Sequence, residues 1–167
     1  QSHRMLTIDI DLKMNEDVLI ATSDFVHLAE RFSMVVAELT QTTTFAVVLT
    51  RKLRNYVKKL KAGECWASGF HLYVLGLLVS KPLATRIRKE CLEVIPYFKE
   101  EHPYIQNSPE DILDDGVSPF GSNGIIVLGD RKKTPNSGGG YHIVFTGTFD
   151  ETSFANRKFP PPEESME

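Results

Sequence analysis

The chain has 167 residues, 41% of them hydrophobic and 25% charged, with a formal net charge of -3 at pH 7. That is enough for one ordinary domain with its own core, at the composition of a soluble globular protein. No apolar run nears the roughly 20 residues of a membrane-spanning helix, and the N-terminus lacks the ordered blocks of a signal peptide, so an intracellular protein without a membrane partner is expected.

"MLTIDIDLK", Met5 to Lys13, reads as the first strand, because Thr, Ile and Leu suit a pleated, half-buried surface. Side chains alternate along a strand, so Asp9 and Asp11 share one face while Ile8, Ile10 and Leu12 take the other. Two carboxylates at this spacing can both touch one divalent cation or straddle a pair of them. The plainer alternative is a solvated edge strand whose acids face water.

After a short connection, "SDFVHLAERFSMVVAELT" opens with Ser23 and Asp24 as cap types. Phe25, Leu28, Phe32, Val35, Val36 and Leu39 then recur at helical spacing. "TTTFAVVLT" is a β-branched run that reads as a second core strand. "RKLRNYVKKLK", Arg51 to Lys61, holds six basic residues and no acid, and is expected to be a loop or hairpin. Taken alone it is a solvated charged face. "WASGFHLYVLGLL" returns to strand character around Phe70 to Val74, and "SKPLATRIRKECLEVIPYF" is a second helix. Ser80 is its cap, Pro82 lies in its first turn, Leu83, Ile87, Cys91, Leu92 and Ile95 form its apolar face, and Pro96 is its stop.

"EEHPYIQNSPEDILDDG" reads as loop with a short helical turn, and "NGIIVLGD" and "YHIVFTGTF" as two strands joined by the polar, glycine-rich "RKKTPNSGGG". The proline- and glutamate-rich tail is expected to be disordered or a linker, so the domain spans 1–156 and the tail 157–167. The order β, α, β, β, α, β, β predicts an α+β domain with two helices on one face of a mainly antiparallel sheet and the acids on the other. No internal repeat and no Walker-type phosphate loop is present. Cys65 and Cys91 lack metal-ligand spacing and are assigned no chemistry.

A negative sum argues weakly against a nucleic acid partner. The distribution is more permissive. Beside the basic run at Arg51 to Lys61 stands a second cluster at Arg131, Lys132 and Lys133, while much of the acid lies in "EDILDD" and "PPPEESME". A protein that handles a polyanion through metals needs an acidic site beside basic walls.

Three spots remain: "IDID", "SGFHLY" and "ILDDGVS". His71 would point away from the core, since Phe70 and Leu72 flank it. Gly69 lacks a Cβ and would let a ligand approach the backbone. Asp111, Asp114 and Asp115 crowd a segment that Gly116 turns. Each has a plainer reading, as a satisfied strand histidine or as acids at a solvated turn.

Together, "TIDIDLK", then "SGFHLY" about 60 residues on and "LDDGV" about 43 beyond that, resemble the three signature motifs of the archaeo-eukaryotic primase superfamily. The chain looks most like its PrimPol and herpes-pox branch, especially the primase domain of primase-helicases of large nucleocytoplasmic DNA viruses. Asp114, Val117, Gly129 and Lys132 fit the branch's last pattern, and the resemblance spans Met5 to Phe149.

The resemblance implies an RRM-like palm and a DNA primase or primase-polymerase. Asp9, Asp11 and Asp114 would hold two Mg²⁺ or Mn²⁺ ions for template-directed nucleotidyl transfer, with Asp115 as the alternative third ligand. His71 would contact the triphosphate of the incoming NTP or dNTP, helped by Ser68, Gly69, Lys132, Lys133 and Lys13. Single-stranded DNA template would lie along Arg51, Lys52, Arg54, Lys58 and Lys59, and a superfamily 3 helicase would be an adjoining domain or partner in viral replication. The runner-up reading is a non-catalytic module that holds single-stranded DNA or nucleotide and recruits a helicase. A metal nuclease using the same acids is the third.

Overall fold

The computed structural model describes residues 3–114, 117–119 and 139–161. Strand β1, Arg4–Met14, alternates as its sequence requires: Leu6, Ile8, Ile10, Leu12 and Met14 are at most 1% exposed, and Thr7, Asp9, Asp11 and Lys13 face the other way. Helix α1, Thr22–Thr40, buries Phe25, Leu28, Phe32 and Val36. It begins before the expected caps. Its N-cap is Ala21, which makes no side-chain cap bond, and Asp24 sits in the first turn, where its charge favours the helix dipole.

Strand β2, Thr44–Arg51, is followed by the hairpin of β3, Tyr56–Leu60, and β4, Gly63–Val79. The basic run is therefore the end of β2 plus the outer strand of a hairpin. β4 is 17 residues long and pairs antiparallel with β1, β2 and β3. Helix α2, Lys81–Cys91, starts as expected, with the Ser80 hydroxyl accepting the Leu83 N–H at 3.3 Å. Pro96 does not end the helical path. It sits in the first turn of a separate helix α3, Ile95–Glu101, where a missing N–H costs nothing. Helix α4, Pro109–Ile112, is the expected short turn, and strands β5, Val117–Pro119, β6, His142–Asp150, and β7, Ser153–Lys158, follow.

The strands form one sheet in the order β5-β1-β4-β2-β6-β7, with β3 paired to β4 and every pairing antiparallel. Side chains of α1, α2 and α3 join Ile8, Ile10, Leu49, Phe70 and Leu72 in one apolar cluster. Phe25 of α1 links the layers, its ring 4.9 Å from Phe70 in the sheet and 6.2 Å from Phe98 in α3. The fold is thus the expected α+β arrangement with its helices on one face. No helix among the described residues is long and apolar enough to cross a membrane.

The expected boundary at residue 156 moves outward. β7 runs through Arg157 and Lys158, Arg157 bonds Glu30 of α1 at 3.0 Å, and the Phe159 ring lies 5.1 Å from Phe145. A polar run paired in a sheet reads like a tail because most of its residues face water. The strand read in "NGIIVLGD", the glycine-rich loop, and Asp115, Gly116, Gly129, Arg131, Lys132 and Lys133 lie outside the described residues.

Gly69 fixes how closely β1 and β4 approach. A Cβ there would stand 2.1 Å from the Ile10 carbonyl oxygen, and its φ is +156°. The backbone that approaches Gly69 is β1's own. Gly69→Ala is expected to destabilise the protein by about 3 kcal/mol or more, the range of a backbone collision with no flexible neighbour to yield. Chemical denaturation compared with Gly63→Ala, where a Cβ meets nothing within 4 Å, checks this; equal losses would refute it.

Candidate active site

The polar face of the sheet carries the site, and strand register assembles it. Asp9 pairs with His71, His71 in turn with Thr50, and Asp11 with Gly69. Asp9 and Asp11 thus share a face as expected, and His71 joins them across the strand.

His71 is only 5% exposed. Its Nε2 lies 3.0 Å from Asp9 Oδ1, its Nδ1 is 3.5 Å from the Tyr73 hydroxyl, and Tyr141 stacks on its ring at 4.2 Å between centroids and 19° between planes. Asp9 Oδ1 is buried without a well-directed hydrogen bond despite that short approach. A buried carboxylate oxygen with no aligned donor is costly alone and is the kind of group a cation satisfies.

Asp11, Lys52, Arg54, Tyr56, Ser68, Gly69 and Tyr141 line one recess. The Lys52 ammonium lies 4.2 Å from the Tyr56 ring centroid and 5.5 Å from that of Tyr141, within reach of a cation–π attraction to both. The acids are felt here. Burial, then Asp11 and Asp9, push the Tyr56 phenol up to about 12. Burial, then Asp9, Tyr56, Asp11 and Tyr73, raise Tyr141, and burial raises Tyr73. All three stay neutral phenols near pH 7.

The third acidic segment is pinned to the open edge of β1. The Asn107 side-chain amide donates to the Asp11 carbonyl at 2.9 Å and to Asp111 at 3.0 Å, while its oxygen accepts the Lys13 N–H at 3.0 Å. Lys13 Nζ reaches Asp111 Oδ2 at 2.8 Å. From the other side, Arg88 of α2 donates to the Leu113 carbonyl at 2.6 Å. Val117 then pairs with Ile8. Asp114 is exposed between these anchors, on the edge of the strand that carries Asp9 and Asp11. Among the described residues, no three of His, Cys, Asp and Glu stand close enough to form a ready-made metal cage.

The basic residues divide. Arg51 is not a phosphate-facing wall: it is 3% exposed, its guanidinium lies 4.5 Å from the Phe25 ring centroid and it donates to the Ile20 and Lys52 carbonyls. It ties β2 to the start of α1. Burial pulls its pKa down to about 10, which leaves it charged at neutral pH. Lys52 is also buried, at 8%, and belongs to the recess. Arg54 and Lys59 are exposed and Lys58 half-buried, along the hairpin. Lys13 is bound to Asp111, so in this arrangement it anchors α4. Ser68 and Gly69 line the recess.

Sequence reasoning missed Tyr56, Tyr73, Asn107 and Tyr141. Tyr73 was within reach, standing two residues beyond His71 on the same strand face. The others come from distant segments and had no local signal.

The Lys13–Asp111 clamp has a defined pH window. Hydrogen bonding from Lys13 and then Asn107 holds Asp111 below its ordinary 3.8, and bonding to Asp111 raises Lys13 above 10.5. The depressed acid contributes above its unfolded pKa and is lost as pH falls through its folded one. The raised amine contributes below 10.5 and is lost as pH rises beyond its folded value. Asp111→Asn is expected to cost roughly 0.5–1 kcal/mol at pH 7, as befits a half-exposed pair. Denaturation curves at pH 7 and pH 2 check it: the variant and the parent should converge in acid, and a constant difference would refute the clamp.

One family of known proteins matches this chain. Its model, described as the C962R protein N-terminal AEP domain, covers residues 1–149. No curated protein matches.

Proposed function

We propose, from the premise that this chain belongs to the archaeo-eukaryotic primase family of C962R N-terminal domains, that it is the catalytic domain of a DNA primase or primase-polymerase. Domains of this family are of the primase-polymerase type and generally use divalent metals. The finer reading is template-directed transfer of a nucleotidyl group from NTP or dNTP on single-stranded DNA during viral replication.

The observation that carries it is the pair of carboxylates Asp9 and Asp11 on one strand face, with His71 across the strand and its Nε2 3.0 Å from Asp9 Oδ1. The donor set fits hard cations, which prefer carboxylate oxygens. Asp9, Asp11 and Asp114 would hold Mg²⁺ or Mn²⁺. When bound, such ions lower the pKa of an attacking 3′-hydroxyl and neutralise charge on the phosphates.

The protein's own residues do the rest. β1 presents Asp9 and Asp11 from a rigid paired strand, which fixes their spacing. His71, held by Tyr73 and Tyr141, limits the orientations of the Asp9 carboxylate. The pinned segment on the β1 edge carries Asp114. The exposed Arg54 and Lys59 and the half-buried Lys58, in and just before the hairpin, supply positive charge along which a phosphate backbone can run.

The hairpin also supports a second reading, a module that holds single-stranded DNA or nucleotide without catalysis and recruits a helicase. Metal-independent, steeply salt-dependent binding through Lys58, Lys59 and Lys61 with no nucleotide incorporation would favour it.

Labelled-oligonucleotide synthesis on single-stranded DNA with Mn²⁺ or Mg²⁺ tests the first reading. Asp9→Ala and Asp11→Ala should each lower synthesis by at least roughly 100-fold, as should chelation of the metal. Synthesis that survives the double replacement overturns it. Shortening of the strand without incorporation would assign the same acids to a nuclease.

A further inference from the structure

We propose that the projecting end of the β3–β4 hairpin holds single-stranded nucleic acid on one face only, with the Lys58 ammonium on a phosphate and the Leu60 side chain against an unstacked base. Lys59, on the opposite face, adds charge to the surroundings without touching the strand. The choice of partner rests on the nucleic-acid reading above; the division of the hairpin into two faces stands on register.

β1 stops pairing with β4 at Trp66, opposite Met14, so the pairs Lys58 with Cys65, Lys59 with Glu64 and Leu60 with Gly63 extend past the sheet. Side chains directly across from each other share a face, and successive residues alternate. Tyr56 lines the recess together with Asp11. Alternation from Tyr56 therefore puts Lys58 and Leu60 on the site face, and Lys59 with Glu64 on the other. After hydrogen bonding from Lys13 and Asn107, the charge of Lys58 also lowers the Asp111 carboxyl, which agrees with an ammonium on the site side.

The two faces differ in what they can bind. The Lys58 ammonium has no ion-pair or hydrogen-bond partner among the described residues. Leu60 is 39% exposed, since the residue across from it is Gly63, which has no side chain to cover it. A cation beside an uncovered apolar side chain matches a single strand, which offers phosphates and base faces together. A duplex keeps its base faces stacked inside and leaves Leu60 nothing apolar to meet, and one leucine is too small an apolar surface to enter a membrane. On the opposite face Lys59 stands across from Glu64, whose charge offsets its own and repels a phosphate.

Fluorescence anisotropy of the full chain with labelled oligothymidylate across a salt series tests the assignment. Lys58→Gln should weaken binding by about five-fold or more and reduce the salt slope by about 0.7, the share of one phosphate on a single strand. Lys59→Gln should weaken it by no more than about two-fold, the effect of a screened charge at a distance. Leu60→Ser should weaken binding by about three-fold or more without moving the slope, and that loss should vanish on an abasic strand of the same length. None of the three side chains belongs to the apolar core, so the variants keep the fold. Equal losses in Lys58→Gln and Lys59→Gln overturn the proposal. So do a Leu60→Ser loss of the same size on the abasic strand, a duplex bound as tightly as the single strand, and a wild-type chain that binds no single strand. Primer synthesis by the same preparations separates this claim from the primase reading. An active wild type whose Lys58 and Lys59 variants behave alike sinks the face assignment alone, and an inactive wild type that binds the strand through Lys58 and Leu60 sinks the primase reading alone.

Discussion

The contact on which the rest of the structure depends is the close backbone approach of β1 to β4 at Ile10 and Gly69. No side chain fits between them, and that locks a register in which Asp9 faces His71 and Asp11 faces Gly69. A slip of one residue would send Ile8, Ile10 and Leu12 to the polar face and the acids into the core. The apolar cluster beneath the sheet therefore enforces the geometry above it. Core packing and site chemistry are two faces of one strand.

The electrostatics follow from that division. The polar face gathers carboxylates under a cluster of tyrosines and close to buried Lys52, so positive and negative groups meet in a partly desolvated space where their interaction exceeds that of surface charges. Adjacent residues of the basic run have opposite duties because they alternate. Arg51 goes down to the helix layer and secures α1, and Lys52 goes up to the recess. A count of charges along the run cannot separate the two roles. The side-chain period can.

This is also why the sequence was legible in some places and opaque in others. The acid-and-oil alternation of β1, the faces of α1 and α2 and the outward aim of His71 rest on local periodicity, and local periodicity survives folding. The tail failed because β7 pairs a polar segment through its backbone, for which composition carries little signal. Pro96 misled because one residue type both ends a helix and opens one. Gly69 was marked as a place where a ligand approaches the backbone, but the approaching group is Ile10 of β1, distant in the chain. Tyr141 over His71 and Asn107 under Asp11 are likewise long-range contacts, and no single window of sequence contains both partners.

The anchoring of residues 107–114 holds Asp114 differently from Asp9 and Asp11. Asp9 and Asp11 sit in mid-strand, where hydrogen-bonded neighbours on β4 fix the backbone. Asp114 stands just past Leu113, which is fully buried and whose carbonyl is bound by Arg88, and just before Val117, paired to Ile8. The Asp114 side chain is exposed. The clamp formed by Asn107, Lys13 and Asp111 ties the segment before it to β1.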